Sequence, residues 1–540
     1  MALVHLRTSR EVNQKPQPQN WVAIGSERRH LDYLESSPPI GDEMEAAFEA
    51  IREDWVSLAH DLSFTSGATL AHAPACAPNV SDMGCMMAWS RLVDHWIAEN
   101  RSIGVLCDDP WMFRHLSEKR GVAAGTPPAL AVVEMKLRLR GLMARTRFAL
   151  SAFVAALAFR DQRRRFPNDK PCLLVYGHPR SHVNGVDAYF GPIMSRFSSL
   201  FRVISVDGGI RQARRLTASG RNASLHAWGN PWEALTKLVG AKWRPSHIAK
   251  TSRQSWLVKR SVALEGGTGH GAMTRWTELC LARWFQTCRP SQVIWPWENH
   301  AWERQLVRIA RRYHVSTLGY QHSVVGRHMY NYAADSNHDG MKSLPDRVLT
   351  TGATTRRELT SWGLPESRSA IGGALRLRGD AKVRWNPAGP VFVALPFDRA
   401  IAREMIAAIR VAARAGFLFV VKDHPIYRTS FAETPGIVKT EIAFEDHEKI
   451  SRVLFSASTV GLEALVFGIP ALRYVPAHQF AIDITPENID VPTTGSDGLS
   501  AILASPSKPV RIDRELIFSE PMWDQWRQEI IQGVLQCHPN

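Results

Sequence analysis

From residue 172 onward the chain repeats one unit: a short aliphatic run, a turn, and a stretch with helical spacing. CLLVYGHP, FRVISVDGG (201–209), SQVIWPWEN (291–299) and VSTLGYQHS (315–323) are runs of the first kind. AWERQLVRIARRYH, after the third of them, has the apolar spacing of a surface helix. Strands that are apolar on both faces and separated by helices predict a parallel sheet covered on both sides. RVLTTG (347–352) and a helix from about Thr354 to Trp362 continue the series, followed by SAIGGALR (369–376). The polar stretch RGDAKVRWNPAGP (378–390) is where an interdomain hinge is expected. A second series follows: PVFVALPFD (390–398), a helix over 400–415, FLFVVKDHP (417–425), VLFSAS (453–458), a helix over 459–467 and PALRYV (470–475). Two such series imply an α/β fold with two Rossmann-like domains whose sheets face a central cleft. A terminal helix is expected over 519–537.

The first 170 residues are less regular. WVAIG (21–25) and SIGVLCDDP (102–110) read as strands, residues 43–62 and 83–98 as helices, and Ser36-Ser37-Pro38-Pro39 as a break. The expected units are therefore an N-terminal α/β extension (1–170), two Rossmann-like domains (171–377 and 378–515) and a C-terminal helix (516–540). Residues 136–165 stand apart, with nine Lys/Arg, one acid and an apolar stretch from Phe148 to Phe159 between the basic clusters. That composition suits a helix lying on an anionic membrane surface. Packed as an internal helix, the same stretch would bury Phe148, Val154, Leu157 and Phe159 and leave its arginines in water.

Charge and cysteine content narrow the partners. The formal net charge of +15 over 540 residues favours an anionic ligand: nucleic acid, acidic lipid or a phosphorylated substrate. Over half of that excess falls in 136–165, and no zinc finger or RNA-binding signature stands out, so nucleic acid is not the expected partner. The seven cysteines form no CxxC pair and are odd in number, which predicts a reducing compartment. The N-terminus lacks a signal-peptide core, and no uninterrupted apolar run reaches about 18 residues, which argues against a spanning helix. A cytoplasmic protein, peripheral at the inner membrane face, is expected.

Two stretches in the second series carry chemistry. In SASTVGLEALVFGIP, Ser456-Ala457-Ser458-Thr459 ends a buried strand where a helix begins. The first-turn amides there are unpaired and electropositive, so small hydroxyls either cap the helix or face a phosphate. Glu463, one turn on, is placed to accept ribose hydroxyls. In FVVKDHP, a strand delivers Lys422 and His424 to the carboxyl edge of the sheet, where open α/β sheets bind ligands. Each stretch alone is equally an ordinary cap or strand end. One βα step apart, they make an anion site.

KDHP followed by SASTVGLEALVFGIP resembles the nucleotide-binding half of GT-B glycosyltransferases, above all bacterial surface-polysaccharide enzymes with an HP motif and a Ser/Thr motif. AYFGPIM (188–194), WPWENHAWERQL (295–306), LGYQHS (318–323) and IGGALR are similar to surface-carbohydrate (capsule or O-antigen) biosynthesis proteins. The resemblance implies a nucleotide-sugar donor held by Lys422, His424, Ser458, Thr459 and Glu463, with Arg376 at the domain junction reaching its phosphate. The acceptor, a glycan or lipid-linked glycan, would bind the N-terminal half. An inverting transferase needs a base for the acceptor hydroxyl. Glu298 is the preferred candidate and His322 the main rival, with His178 and Asp207 also at strand ends.

No DxD motif, HExxH or Cys/His array occurs, and Asp108-Asp109 is the nearest acidic pair. No metal and no cofactor beyond the nucleotide-sugar substrate are expected. GGTGHGA (266–272), in a segment (245–275) that reads as loop, does not form a dinucleotide fingerprint. A nucleotide-sugar epimerase or hydrolase on the same plan is the enzymatic alternative. A non-catalytic membrane- or nucleic-acid-binding scaffold is the other.

Overall fold

The structure is a computed structural model that describes residues 4–11, 20–25, 39–245, 247–248, 252–377, 381–425 and 427–537, with backbone only beyond 533. The Ser36–Pro38 part of the N-terminal break and residues 378–380 of the hinge stretch lie outside the described residues.

Two large parallel sheets organise the molecule. The first is formed by β5 (Pro171–Val175), β6 (Phe201–Ile204), β7 (Asn222–Ser224), β8 (Gln292–Pro296), β9 (Ser316–Gln321), β10 (Arg347–Thr350) and β11 (Ser369–Ile371). Its order is β11-β10-β9-β8-β5-β6-β7. The second is formed by β13 (Val391–Ala394), β14 (Phe419–Lys422), β15 (Ile437–Lys439), β17 (Arg452–Phe455), β18 (Ala471–Tyr474) and β19 (Thr493–Thr494), in the order β15-β14-β13-β17-β18-β19. The short strands β12 (Arg384–Trp385) and β16 (Lys449–Ile450) pair beside it. Every pairing in the two large sheets is parallel. Both sheets start in the middle, build outward one way and then the other. Each therefore has a switch point, between β5 and β8 in the first and between β13 and β17 in the second, where ligand crevices open at the carboxyl edge. These are two Rossmann-like units, preceded by an N-terminal α/β extension.

Aliphatic strands make these sheets because they are covered on both faces. β5 and β8 are buried throughout, as are β13 and β17. Asp398 caps the helix Arg399–Arg414, its carboxylate accepting from the amides of Ala400 (2.6 Å) and Ile401 (3.1 Å). Such a cap stabilises a helix by about 1 kcal/mol.

The extension has its own parallel sheet, in the order β2 (Trp21–Ala23), β3 (Ile103–Leu106), β1 (Val4–Arg7), β4 (Val122–Ala124). β1 does not stand out in the sequence. Only Val4 and Leu6 of VHLR are apolar and buried, with His5 and Arg7 half-buried between them. The helix expected over 43–62 is two, α1 (Gly41–Ala50) and α2 (Arg52–Ser63), broken at Ile51. α3 spans Met83–Ala98 and α4 spans Pro110–Ser117. Asp109 caps α4 and also pairs with the buried Arg260 guanidinium at 2.6 Å, so the acidic pair is structural. The segment expected as loop over 245–275 contains two helices, Ser255–Leu264 and Gly269–Cys288. Gly266, Gly267, Gly269 and Gly271 around the junction lower helix propensity enough to mask the second one. One hydrophobic core runs unbroken from Val4 to Leu364, joining the extension to the first large sheet.

α5 spans Leu130–Phe159, 30 residues, and starts before the basic segment. It is long and apolar enough to cross a membrane, against the expectation from uninterrupted runs, because Arg145 and Arg147 are the only charges in its last 18 residues. Ala149, Ala152, Ala155, Ala156 and Phe159 are buried in the core shared with the helix Gly269–Cys288. Arg145 is buried there too, its Nε donating to the Val239 carbonyl at 2.8 Å and its guanidinium to that of Gly267.

Two segments cross between the large units side by side. Residues 372–377 lead out and residues 516–522 return, joined by Ala374 N–H to the Ser519 carbonyl and Met522 N–H to that of Gly372. Gly373 has φ +80°, and a Cβ there would sit 2.1 Å from the Glu520 carbonyl oxygen, so only glycine fits. The last helix, Trp523–Cys537, docks on the first sheet, where Trp526 is fully buried and donates from Nε1 to the Gly372 carbonyl at 2.9 Å. A second tie lies elsewhere. The 476–487 loop of the second unit is held by α1 and by residues 326–330. Phe48 stacks on Phe480 at 4.0 Å, Arg473 pairs with Glu45, and Asp483 pairs with Arg327 at 3.0 Å. A Cβ on Gly326 would meet the Ile484 backbone at 2.3 Å.

Candidate active site

The carboxyl edge of the first sheet gathers the N-terminal candidates at its switch point. β8 runs into Glu298, Asn299 and His300, and β9, its neighbour, runs into His322. The Glu298 Oε2 lies 2.9 Å from His300 Nε2, and its Oε1 lies 3.6 Å from His322 Nε2. Glu303 shapes the loop. Its Oε2 accepts from the amides of Glu298 and Asn299, each at 2.9 Å, and from Trp295 Nε1 at 3.2 Å. Glu303, not Asn299, therefore satisfies the loop amides ahead of the helix Ala301–Arg312. Asn299 has φ +56°, which asparagine tolerates, and its Nδ2 donates to the Asn331 carbonyl at 2.7 Å.

Electrostatics separates the two candidate bases. Burial disfavours a charged Glu298, but the His300 hydrogen bond and the charges of His300, His322 and Arg376 outweigh it and hold its pKa at about 2. A carboxylate that acidic is a poor proton acceptor at neutral pH. His322 is pushed down to about 4, first by burial and then by the Arg376 charge, against the pull of Glu298. It is neutral at pH 7, and its Nδ1 is buried with no hydrogen-bond partner among the described residues. The Tyr189 ring stands edge-on to it at 4.8 Å. Asp207 is half of a turn: its carboxylate accepts from the Gly177 amide at 3.1 Å, and burial raises its pKa. His178 Nδ1 accepts from the Arg180 amide at 3.1 Å.

Arg376 is the residue that both halves share. It leaves the crossing segment exposed, lies 5.9 Å from the Tyr189 ring centre, and its charge acts on His178, Glu298 and His322 of the first unit. It also acts on Glu463 of the second, offsetting part of the rise that burial imposes on that carboxyl. Glu463 accepts from Thr459 Oγ1 at 3.1 Å. At this second switch point Ser456 is buried with its hydroxyl unpartnered among the described residues, and the Val460 amide donates to Ser458 Oγ at 3.4 Å. His424 meets the Phe397 ring edge-on at 5.6 Å, and burial lowers its pKa. Lys422 Nζ donates to the carbonyls of Glu441 (2.8 Å) and Ile442 (2.9 Å). The geometry thus brings Glu298, His322 and Arg376 together and sets Ser458, Thr459 and Glu463 on the facing edge. His300, Glu303 and Tyr189, which the structure places against these side chains, were not among the sequence candidates. The first two follow Glu298 within five positions, and a Glu three residues after a helix start is a recognisable cap signal.

No group of three or more His, Cys, Asp or Glu among the described residues is arranged to hold a metal ion. GGTGHGA follows a helix, not a strand, and opens another.

Buried histidines set the expected acid response. His115, His226, His270 and His322 are held near pKa 4, by burial first in each case. Unfolded histidines titrate near pH 6.5. Between the two values the unfolded chain takes up protons that the folded chain refuses, so their stabilisation is complete above pH 6.5 and is lost as pH falls toward 4. Each contributes up to about 1.4 kcal/mol per pH unit there. Glu265 and Glu303, raised by burial to about 7, act oppositely: their contribution is complete below pH 4.5 and lost as pH rises through 7. Four groups outweigh two, so the urea midpoint is expected to be lower at pH 5 than at pH 7. Equal midpoints would contradict the neutral, buried histidines.

No protein-family model matches the chain, and no curated protein matches it. Solved structures with a similar chain path include UDP-N-acetylglucosamine 2-epimerase from Rickettsia bellii, 12% identical, with a TM-score of 0.36 over 68% of this chain and 96% of that one. UGT89C1 of Arabidopsis thaliana, complexed with quercetin, is 14% identical, with a TM-score of 0.39 over 62% and 89%. A lipopolysaccharide outer core galactosyltransferase in its apo form is 8% identical, with a TM-score of 0.32 over 68% and 96%.

Proposed function

We propose that the protein is a glycosyltransferase that moves a sugar from a nucleotide-sugar donor to a surface-polysaccharide or lipid-linked glycan acceptor, with inversion and without a metal. The observation that carries the reading is Arg376, whose charge reaches both facing edges. Donor phosphates paired with it would sit between the hydroxyl-lined edge at Ser456–Thr459 and the Glu298–His322 pair. The same pairing would relieve His322 of the charge that depresses it, and so raise its basicity as the donor binds. His322 then takes the proton from the acceptor hydroxyl. That oxygen bonds to the anomeric carbon, and the bond from this carbon to the phosphate oxygen breaks. The electron pair leaves with the nucleotide, where Arg376 stabilises it. Glu298 holds His322 and stabilises the imidazolium that forms. This moves the base from Glu298, the first choice on sequence, to His322.

The test is calorimetry of the purified chain against CMP-, UDP-, GDP- and dTDP-sugars. Binding of one of them is expected, and no binding at millimolar concentration would sink the reading. Release of an epimerised or free sugar without acceptor would make the enzyme an epimerase or hydrolase. In the donor pocket, His424→Ala and Ser458→Ala are each expected to weaken binding about 10- to 150-fold, the worth of one charge-assisted hydrogen bond of roughly 1.5–3 kcal/mol. Unchanged affinity in both would leave these residues structural.

A further inference from the structure

One face of α5 has no partner among the described residues. Val132, Met135, Leu139, Met143, Leu150 and Val154 are exposed, Met143 at 67%. At 100° per residue they form one stripe about 38 Å long down to Leu157. The opposite face carries the buried Gly141, Arg145, Ala149, Ala152 and Ala156. Lys136, Arg140 and Arg147 are exposed along one edge of the stripe. A continuous apolar band of this length on a surface marks a binding face.

The stripe ends at a cavity of about 270 Å³ lined by Arg160, Arg163, Arg283, Leu157 and Asn230. Arg283 is held in place by the Trp228 carbonyl and Glu233 Oε2, each at 2.8 Å, and Asp161 lies 4.0 Å from Arg160. Beside the cavity, Trp232 is 70% exposed, with its ring 5.7 Å from that of Phe153 on α5. Three arginines lining one small cavity supply the charge that a phosphate group needs. An exposed indole beside them suits the headgroup level of a bilayer, and an apolar stripe suits the acyl boundary below it. A second copy of the chain fits less well, because basic residues border the stripe and the net charge is +15.

We propose that α5 seats the protein on an anionic phospholipid surface, with the cavity between Arg160, Arg163 and Arg283 holding a lipid phosphate. The proposal does not depend on the transferase reading. It differs from the sequence expectation in which residues make contact: Phe159 is buried, Phe148 half-buried, and the stripe begins at Val132.

The test is co-sedimentation of the full chain with vesicles of phosphatidylcholine, alone or mixed with phosphatidylglycerol. Binding to the mixed vesicles only, reversed by salt, is expected. Arg160→Gln with Arg163→Gln should weaken partitioning roughly 30-fold. Met143→Asn with Leu150→Asn should weaken it at least about 10-fold. All four side chains are exposed, so the urea midpoint should stay unchanged in both variants. Equal partitioning onto neutral and mixed vesicles, binding to neither, or full binding by both variants would overturn the proposal. So would inorganic phosphate binding without vesicle binding, or a dimer in sedimentation equilibrium that the Met143→Asn, Leu150→Asn pair dissolves while vesicles are ignored.

Discussion

Replacing His322 by Ala is expected to lower turnover about 100- to 10,000-fold while nucleotide-sugar affinity stays within about twofold. The side chain sits at the end of β9 on the edge opposite the hydroxyl-lined helix start, so removing it takes away the proton acceptor and leaves the donor contacts in place. Glu298→Gln is the informative partner. If Glu298 only holds His322, this variant keeps part of its turnover, and the acid limb of the rate profile moves to lower pH because the imidazolium loses its counter-charge. Should His322→Ala retain full turnover while Glu298→Gln abolishes it, the base is Glu298 despite its acidity.

Trp526→Ala is expected to destabilise the chain by about 3–5 kcal/mol. The indole is fully buried against Phe190 and Tyr320, and its Nε1 donates to the Gly372 carbonyl. The substitution therefore opens a cavity and removes one of the two donors to that carbonyl, leaving the Met522 amide. Arg347 and Glu529, paired through 3.0 Å and 3.2 Å contacts, would remain to hold the helix Trp523–Cys537. Denaturant titration followed by tryptophan emission measures the loss. A change under about 1 kcal/mol would show that the last helix does not help hold the first sheet.

The parts of the fold that were legible share one cause. Strands such as Pro171–Val175 and Val391–Ala394 are covered on both faces, so they appear as unbroken aliphatic runs whose helices follow at once. The convergence of Glu298, His322 and Arg376 was legible for the same reason, since each follows a strand and strand ends of a parallel sheet share an edge. β1 was hidden because two of its four residues are polar, and the helix Gly269–Cys288 because glycines crowd its start. α5 begins with no side-chain cap, so no capping residue marks Leu130 as its first residue. Within the site, the acidity of Glu298 could not be read at all. It depends on His300 and His322 converging on one carboxylate, and on Arg376 arriving from a segment more than 50 residues further along.

The 476–487 loop, gripped by α1 and by residues 326–330, bears on how the cleft can work. The paired segments 372–377 and 516–522 already join the two units at one place, and this grip joins them at another. A body fixed at two separated points keeps a single degree of freedom, rotation about the line through them. The cleft therefore behaves as a door on two hinges rather than a jaw on a flexible neck, and twisting of one unit against the other is suppressed. Loosening the tie at the 476–487 loop, for example by Phe48→Ala, is expected to degrade the alignment of the two edges without touching either of them.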